Sequence, residues 1–177
     1  MLIYENKIPL SQRAQFLAKI NDVATRLGIN PNWLMAIINW ESAGTFSPSI
    51  TNSIGATGLI QFMPQTAIGL GTTTSALRQM TAVEQLEYVY KYYKPYASKI
   101  KGYVDMYLAT LFPISLGQLD NFVLQTNHIS AQSVASNNPA FDLNHDGKIT
   151  VGEVKKRMLA QLPKEWLSYF VSSEKKP

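Results

Sequence analysis

The strongest constraint on the fold is a series of stretches in which apolar residues recur every three or four positions, each between residues that start and stop helices. From Ser11 to Leu27 the apolar positions are Phe16, Leu17, Ile20, Val23, Ala24 and Leu27, a spacing that lays them on one face of a helix. Ser11 is the candidate N-cap and Gly28 the stop. Asn30 and Pro31 then restart a helix, Asn30 as cap and Pro31 at the first helical position. It carries Trp33, Leu34, Ile37, Ile38 and Trp40 and reaches Ser42. A short helix opens at Pro64 and stops near Gly69 to Gly71. Helical patterning returns from Thr81 to Tyr96, with Thr81 and Glu84 placed for a capping box, and from Tyr103 to Phe112 before Pro113. The expectation is a mainly α chain with an ordered loop or short hairpin near residues 45–62, where Ser, Thr, Asn and Gly concentrate.

With 177 residues, 46% of them hydrophobic, the chain is long enough to bury a sizeable core. Residues 126–139 turn polar and small. This suggests a main domain over 1–125 and an extension over 126–177 packed on the same domain. Cysteine is absent, which excludes disulfides, thiolate nucleophiles and cysteine-ligated zinc. The two histidines, His128 and His145, lack the spacing of a helical zinc pair, and no Gly-x-Ser-x-Gly turn supports a serine nucleophile. By elimination, carboxylates are the candidate reactive groups. The net charge of +4 serves solubility as readily as it serves an anionic partner. Its two clusters, Lys155-Lys156-Arg157 and Lys175-Lys176, come with no nucleic-acid motif.

Glu41 stands out among the carboxylates. Leu34, Ile37 and Ile38 form a stripe that Glu41 continues by three and four residues. Burial and the negative end of the helix dipole would both raise its pKa. A carboxylic acid still protonated near neutrality is what breaking a glycosidic bond requires. Geometry alone leaves open that Glu41 merely emerges, hydrated, at a frayed helix end.

Glu41-Ser42 closes the apolar helix, and seventeen residues after Glu41 comes Gly58-Leu59-Ile60-Gln61-Phe62-Met63-Pro64-Gln65-Thr66-Ala67. This pair of motifs resembles the lytic transglycosylases of the lysozyme-like superfamily, over roughly residues 28 to 120. The one departure in the second motif is Ile60 for the usual Met, a volume-conserving change. The resemblance implies a goose-type lysozyme-like helical domain that cleaves peptidoglycan glycan strands, with Glu41 as catalytic acid and Gln61 in contact with substrate. Ser42, Phe62 and Tyr107 are further substrate-binding candidates, although core packing is the commoner use of residues such as Phe62 and Tyr107. No nucleic acid, membrane span or catalytic cofactor is implied, and a monomer is expected. The first residues do not read as a signal peptide. Action on the bacterial wall would therefore depend on delivery by a phage, in a virion or lysis cassette, or on some other export.

The family's third motif, Ala-Tyr-Asn-Ala-Gly, is not preserved. In the corresponding stretch Leu111 stands where its Tyr would be and Phe112 where its Asn would be. Tyr92, Tyr93, Tyr103 and Tyr107 are candidates to replace the lost hydroxyl. Asp105 is the acidic residue placed to act as a second carboxylate, or equally an exposed helix residue. The family precedent is one Glu acting first as acid and then as base to give a 1,6-anhydro product, with hydrolysis as the alternative.

Near the other end, residues 142–153 follow the twelve-residue EF-hand loop. Asp142, Asn144 and Asp146 supply oxygens at positions 1, 3 and 5, Gly147 takes the sharp turn, Lys148 offers its carbonyl and Glu153 closes the loop. Structural Ca2+ is expected there, although Asn137-Asn138-Pro139 cuts into the entering helix. A non-catalytic lysozyme-like module that uses this loop for assembly is the competing class. Retention of Glu41 and Gln61, neither needed for packing, argues against it.

Overall fold

The computed structural model describes residues 1–174, so Lys175 and Lys176 lie outside the described residues. It is mainly helical, as expected for a lysozyme-like domain. Among the described residues no helix is long and apolar enough to cross a membrane.

Two compact units divide after Ser98. The first holds α1 (Leu10–Leu27), α2 (Pro31–Glu41), α3 (Pro64–Gly69), α4 (Thr74–Gln79) and α5 (Ala82–Tyr93). Helix α1 starts two residues earlier than the Ser11 cap would place it. Pro9 takes the N-cap position, because its fixed φ leads directly into the first turn. At the other end Gly28 closes α1 in the left-handed conformation, φ 64°. Helix α1 packs on α2 and α5, burying Phe16, Ile20, Val23, Ala24 and Leu27. Lys19 and Arg26 reach Glu87 of α5 at 3.1 and 2.7 Å.

Helix α2 is the centre of this unit. Asn30 caps it, its Oδ1 accepting from the Asn32 amide at 2.9 Å. Trp33 to Ile38 are all at most 2% exposed, so the helix is surrounded on every side. The polar Asn32 is accommodated by accepting from the Ile3 amide at 2.8 Å. A helix this buried delivers its last residue, Glu41, to the edge of the core.

The second unit begins at Lys99 and contains α6 (Tyr103–Leu111), α7 (Ala131–Asn137), α8 (Val151–Ala160) and α9 (Lys164–Ser172). Helix α6 packs on α8, and the polar stretch 126–139 lies within this unit, where Ser130 caps α7. Aromatic rings close its core: Tyr103 meets Phe170 edge-on at 5.1 Å, and Tyr107 stacks on Phe141 at 5.2 Å.

Candidate active site

Glu41 is the last residue of α2 and remains half-buried. Its carboxyl sits deeper than the residue average, and burial pushes its pKa from an ordinary 4.5 up to about 8. The carboxyl is therefore largely protonated at neutral pH. Ser42, fully buried, closes the helix: its hydroxyl donates to the Ile38 carbonyl at 2.7 Å and accepts from the Phe46 amide at 3.0 Å. Both bonds serve the chain reversal, so Ser42 shapes the site from behind.

The first unit contains four other acidic residues, and each is engaged. Glu5 accepts from the Leu2 amide at 2.7 Å. Asp22 pairs with Lys19 and Arg26, and the Lys19 bond leads in lowering its pKa. Glu84 caps α5 through Thr81, which holds its carboxyl down. Glu87 is held at about 2, chiefly by Arg26. Among the described residues of this unit, Glu41 is the one acid whose carboxyl takes part in neither a hydrogen bond nor an ion pair.

Between Glu41 and α3 the chain forms a wound loop with isolated antiparallel bridges, Thr51 to Thr57 and Thr57 to Phe62, in place of a regular hairpin. Ala43 and Gly44, with φ of 49° and 77°, turn it out of α2. Phe46 then re-enters the core edge-on to Phe16 at 6.0 Å. Asn52 holds a tight turn, its Oδ1 accepting from the Ile54 and Ala56 amides, both at 3.0 Å.

Gln61 is half-buried and left-handed at φ 52°, an uncommon conformation for a non-glycine residue. Its Nε2 donates to the carbonyls of Ile50 at 3.3 Å and Gly58 at 3.2 Å. The amide is thus oriented with both donors used and Oε1 left to accept from a ligand N–H or O–H. Phe62 is placed otherwise than a sugar platform requires. It is 2% exposed and meets Tyr92 edge-on at 6.2 Å, so neither ring face is open.

Tyr107, 6% exposed and stacked on Phe141, belongs to the core of the second unit. Tyr93 and Tyr103 are buried as well, while Tyr92 is half-buried beside Phe62. Leu111 is half-buried and Phe112 buried, both apolar as the altered third motif requires. Asp105 sits in the first turn of α6 and accepts from the Lys101 amide at 2.8 Å, as a helix-start acid does. Burial raises its pKa against that bond.

Sequence patterning passed over Gln85. It is fully buried on α5, in the stripe formed by Ala82, Leu86, Val89 and Tyr93. A polar residue in an apolar stripe is the signal that singled out Glu41, and it applies equally here.

In the second unit, residues 142–153 wind as a loop fastened to itself. The two Asp142 oxygens accept from the Asp146 and Gly147 amides at 3.1 and 3.0 Å, and Asn144 Oδ1 also accepts from Asp146 at 3.1 Å. Asp146 accepts from Lys148 at 3.0 Å. Gly147 takes φ 79°, and Ile149 is buried, its carbonyl accepting from Leu124 at 2.8 Å. Glu153 is the capping-box residue of α8, paired with Thr150, and also accepts from the Leu143 amide at 3.1 Å. Among the described residues no three acidic or histidine side chains stand together as a metal cluster.

Residues 19–103 match the family model of the transglycosylase SLT domain. No curated protein and no solved structure matches the chain significantly. The SLT match spans somewhat under half of the chain. It takes in Glu41, the wound loop, Gln61 and Gln85, and ends before residues 108–113, where the third motif is altered. It supports peptidoglycan cleavage of the transglycosylase type in general and, with it, action on the cell wall.

Proposed function

We propose that the chain cleaves the β-1,4 bond between N-acetylmuramic acid and N-acetylglucosamine in peptidoglycan, using Glu41 as its single catalytic carboxyl. Glu41, protonated near neutrality, gives its proton to the glycosidic oxygen as the bond from muramic acid C1 breaks. The resulting carboxylate then takes the proton of the C6 hydroxyl, and O6 bonds to C1 to give a 1,6-anhydro end. Gln61 accepts a hydrogen bond from the sugar through Oε1. The carrying observation is that Glu41 is the one acid among the described residues of the first unit whose carboxyl enters neither a hydrogen bond nor an ion pair, while burial holds its pKa near 8. A two-carboxylate glycosidase requires a second free carboxylate across the cleft, and the other four acids of that unit are engaged elsewhere. Mass spectrometry of digested peptidoglycan tests this. Anhydro-muramic ends are expected, and products carrying an added water would establish hydrolysis instead.

A second reading concerns residues 142–153, which we propose bind calcium. The donor chemistry fits a hard cation: carboxylates of Asp142, Asp146 and Glu153, the Asn144 amide oxygen and the Lys148 carbonyl, around a left-handed Gly147. Each carboxylate oxygen that accepts a loop amide keeps a lone pair for a ligand. Calcium bound there would cross-link the loop and stabilise the folded second unit, without entering the glycan chemistry.

A further inference from the structure

Gln85 lies outside the residues to which a catalytic or binding role has been given, yet its fully buried amide makes three hydrogen bonds, all to backbone. Its Oε1 accepts from the Leu59 amide at 2.7 Å, and its Nε2 donates to the carbonyls of Leu77 at 3.0 Å and Pro48 at 2.9 Å. Both donors and one acceptor site of a fully buried side chain therefore go to three separate backbone segments. Two of these are the entry and the far turn of the wound loop, and the third is the end of α4.

The fit against the loop is close. A Cβ at Gly58 would fall 2.3 Å from Gln85 Oε1 and 2.7 Å from its Cδ, so the amide occupies the space a side chain there would need. Gly58 also takes φ 84°, which favours glycine independently. From this contact a short hydrogen-bonded path leads to Gln61. Gly58 donates to the Ile50 carbonyl at 2.8 Å, and the carbonyls of Ile50 and Gly58 are the two acceptors of Gln61 Nε2. Whatever fixes Pro48, Gly58 and Leu59 therefore fixes the direction in which Gln61 presents Oε1.

We propose that Gln85 is a positioning residue for glycan binding, holding the loop so that the Gln61 amide is aimed before substrate arrives. This rests on Gln61 contacting the glycan, as the proposed function has it. The expected consequence is a loss of affinity with little change in the chemical step, because Glu41 lies on a different element.

The test uses the full chain carrying Glu41→Gln, so that a soluble peptidoglycan tetrasaccharide remains uncleaved, with Kd read by calorimetry well below the melting temperature. Adding Gln85→Asn, which shortens the reach by one methylene, should weaken binding about tenfold, the equivalent of one buried hydrogen bond. Gln61→Ala should weaken it comparably, and Gln85→Asn should then add almost nothing, since the two act along one path. In the otherwise unaltered enzyme, Gln85→Asn should raise KM while kcat and the basic limb near pH 8 stay in place. Gly58→Ala, which pushes the amide from the other side, should reproduce the loss if Gln85→Asn does not fold. A lowered melting temperature with unchanged Kd would make Gln85 a strut of the fold only and overturn the proposal, as would fully additive losses with Gln61→Ala. Absence of any tetrasaccharide binding by the Glu41→Gln chain would overturn the reading of the site itself, and with it this inference.

Discussion

The two wound loops of this chain are built on opposite plans. Residues 43–62 contain no acidic side chain, and bonds to distant segments hold them: the buried Gln85 amide reaches Leu59 and Pro48, and Phe46 packs on Phe16. Residues 142–153 contain three acidic side chains, and these fasten to their own loop through amides no more than ten residues away. The distant ties of this stretch are made by its backbone near the end, where the Ile149 carbonyl accepts from Leu124 and the Val151 and Gly152 amides donate to the Phe122 and Asp120 carbonyls. A neutral loop fixed from outside is arranged before a ligand comes, which suits an uncharged sugar. An acidic loop whose carboxylates are fastened only within it gathers negative charge that a cation would neutralise. Chemistry should therefore depend on the first loop's neighbourhood, and ligand-linked stability on the second.

Replacing Glu41 should break that comparison most visibly. Glu41→Gln removes the proposed proton donor and should lower the rate of glycan cleavage by about 10²–10⁴-fold, measured as turbidity loss of purified cell walls. In the unaltered enzyme kcat/KM should fall as pH rises through about 8, because only the protonated carboxyl can act as the acid. The melting response of the second loop to calcium should be the same in Glu41→Gln as in the unaltered chain. A variant that kept its activity would end the catalytic reading of the first loop.

Calcium gives the next largest effect. At a free concentration of 100 Kd a ligand that binds only the folded state adds about 2.7 kcal/mol. For a chain of this size that amounts to a rise of roughly 5–10 °C in melting temperature, read by scanning calorimetry. Glu153→Gln should abolish the rise, since a neutral amide cannot give the closing bidentate contact. An unchanged melting temperature, with no heat of binding, would leave the loop as a turn whose Glu153 serves only to fasten Thr150 and Leu143.

How much of this was legible beforehand depended on the range of the interactions. The helices carrying local signals, such as the Asn30-Pro31 start of α2 and the Thr81-Glu84 box of α5, stand where periodicity and capping placed them. Helix α4 was not read, because Thr74 to Gln79 is too short for apolar periodicity to register; the Thr73 cap is its one local mark. Glu41 was visible as a polar residue ending an apolar stripe, but its engaged acidic neighbours were not, since Arg26 and Glu87 meet only after α1 packs on α5. Phe62 and Tyr107 carried no sequence mark separating an exposed ring from a buried one. Their placement depends on Tyr92 and Phe141, thirty and thirty-four residues farther along the chain. The role of Gln85 escaped for the same reason, its partners lying at Pro48, Leu59 and Leu77.

The smallest effect sharpens the comparison through stability. The folded-state pKa of Glu41 is raised from 4.5 to about 8, so the unfolded chain releases this proton at lower pH than the folded one does. The folded state is then penalised progressively as pH rises from about 4.5 to about 8, with no further loss above that. A neutral amide escapes the penalty. Glu41→Gln should therefore match the parent at pH 4 and exceed it near pH 8. The gain should be about 1–2 kcal/mol, less than the full shift implies, because the residue remains partly open to water. Urea titrations of both chains across this range measure the difference. A stabilised but inactive variant would mean that the first loop's neighbourhood sacrifices stability to keep an acid protonated, whereas the second loop gains stability on binding its ligand. Equal stability at pH 4 and pH 8 would mean that Glu41 is hydrated after all, and would return it to the frayed helix end that its sequence position also allows.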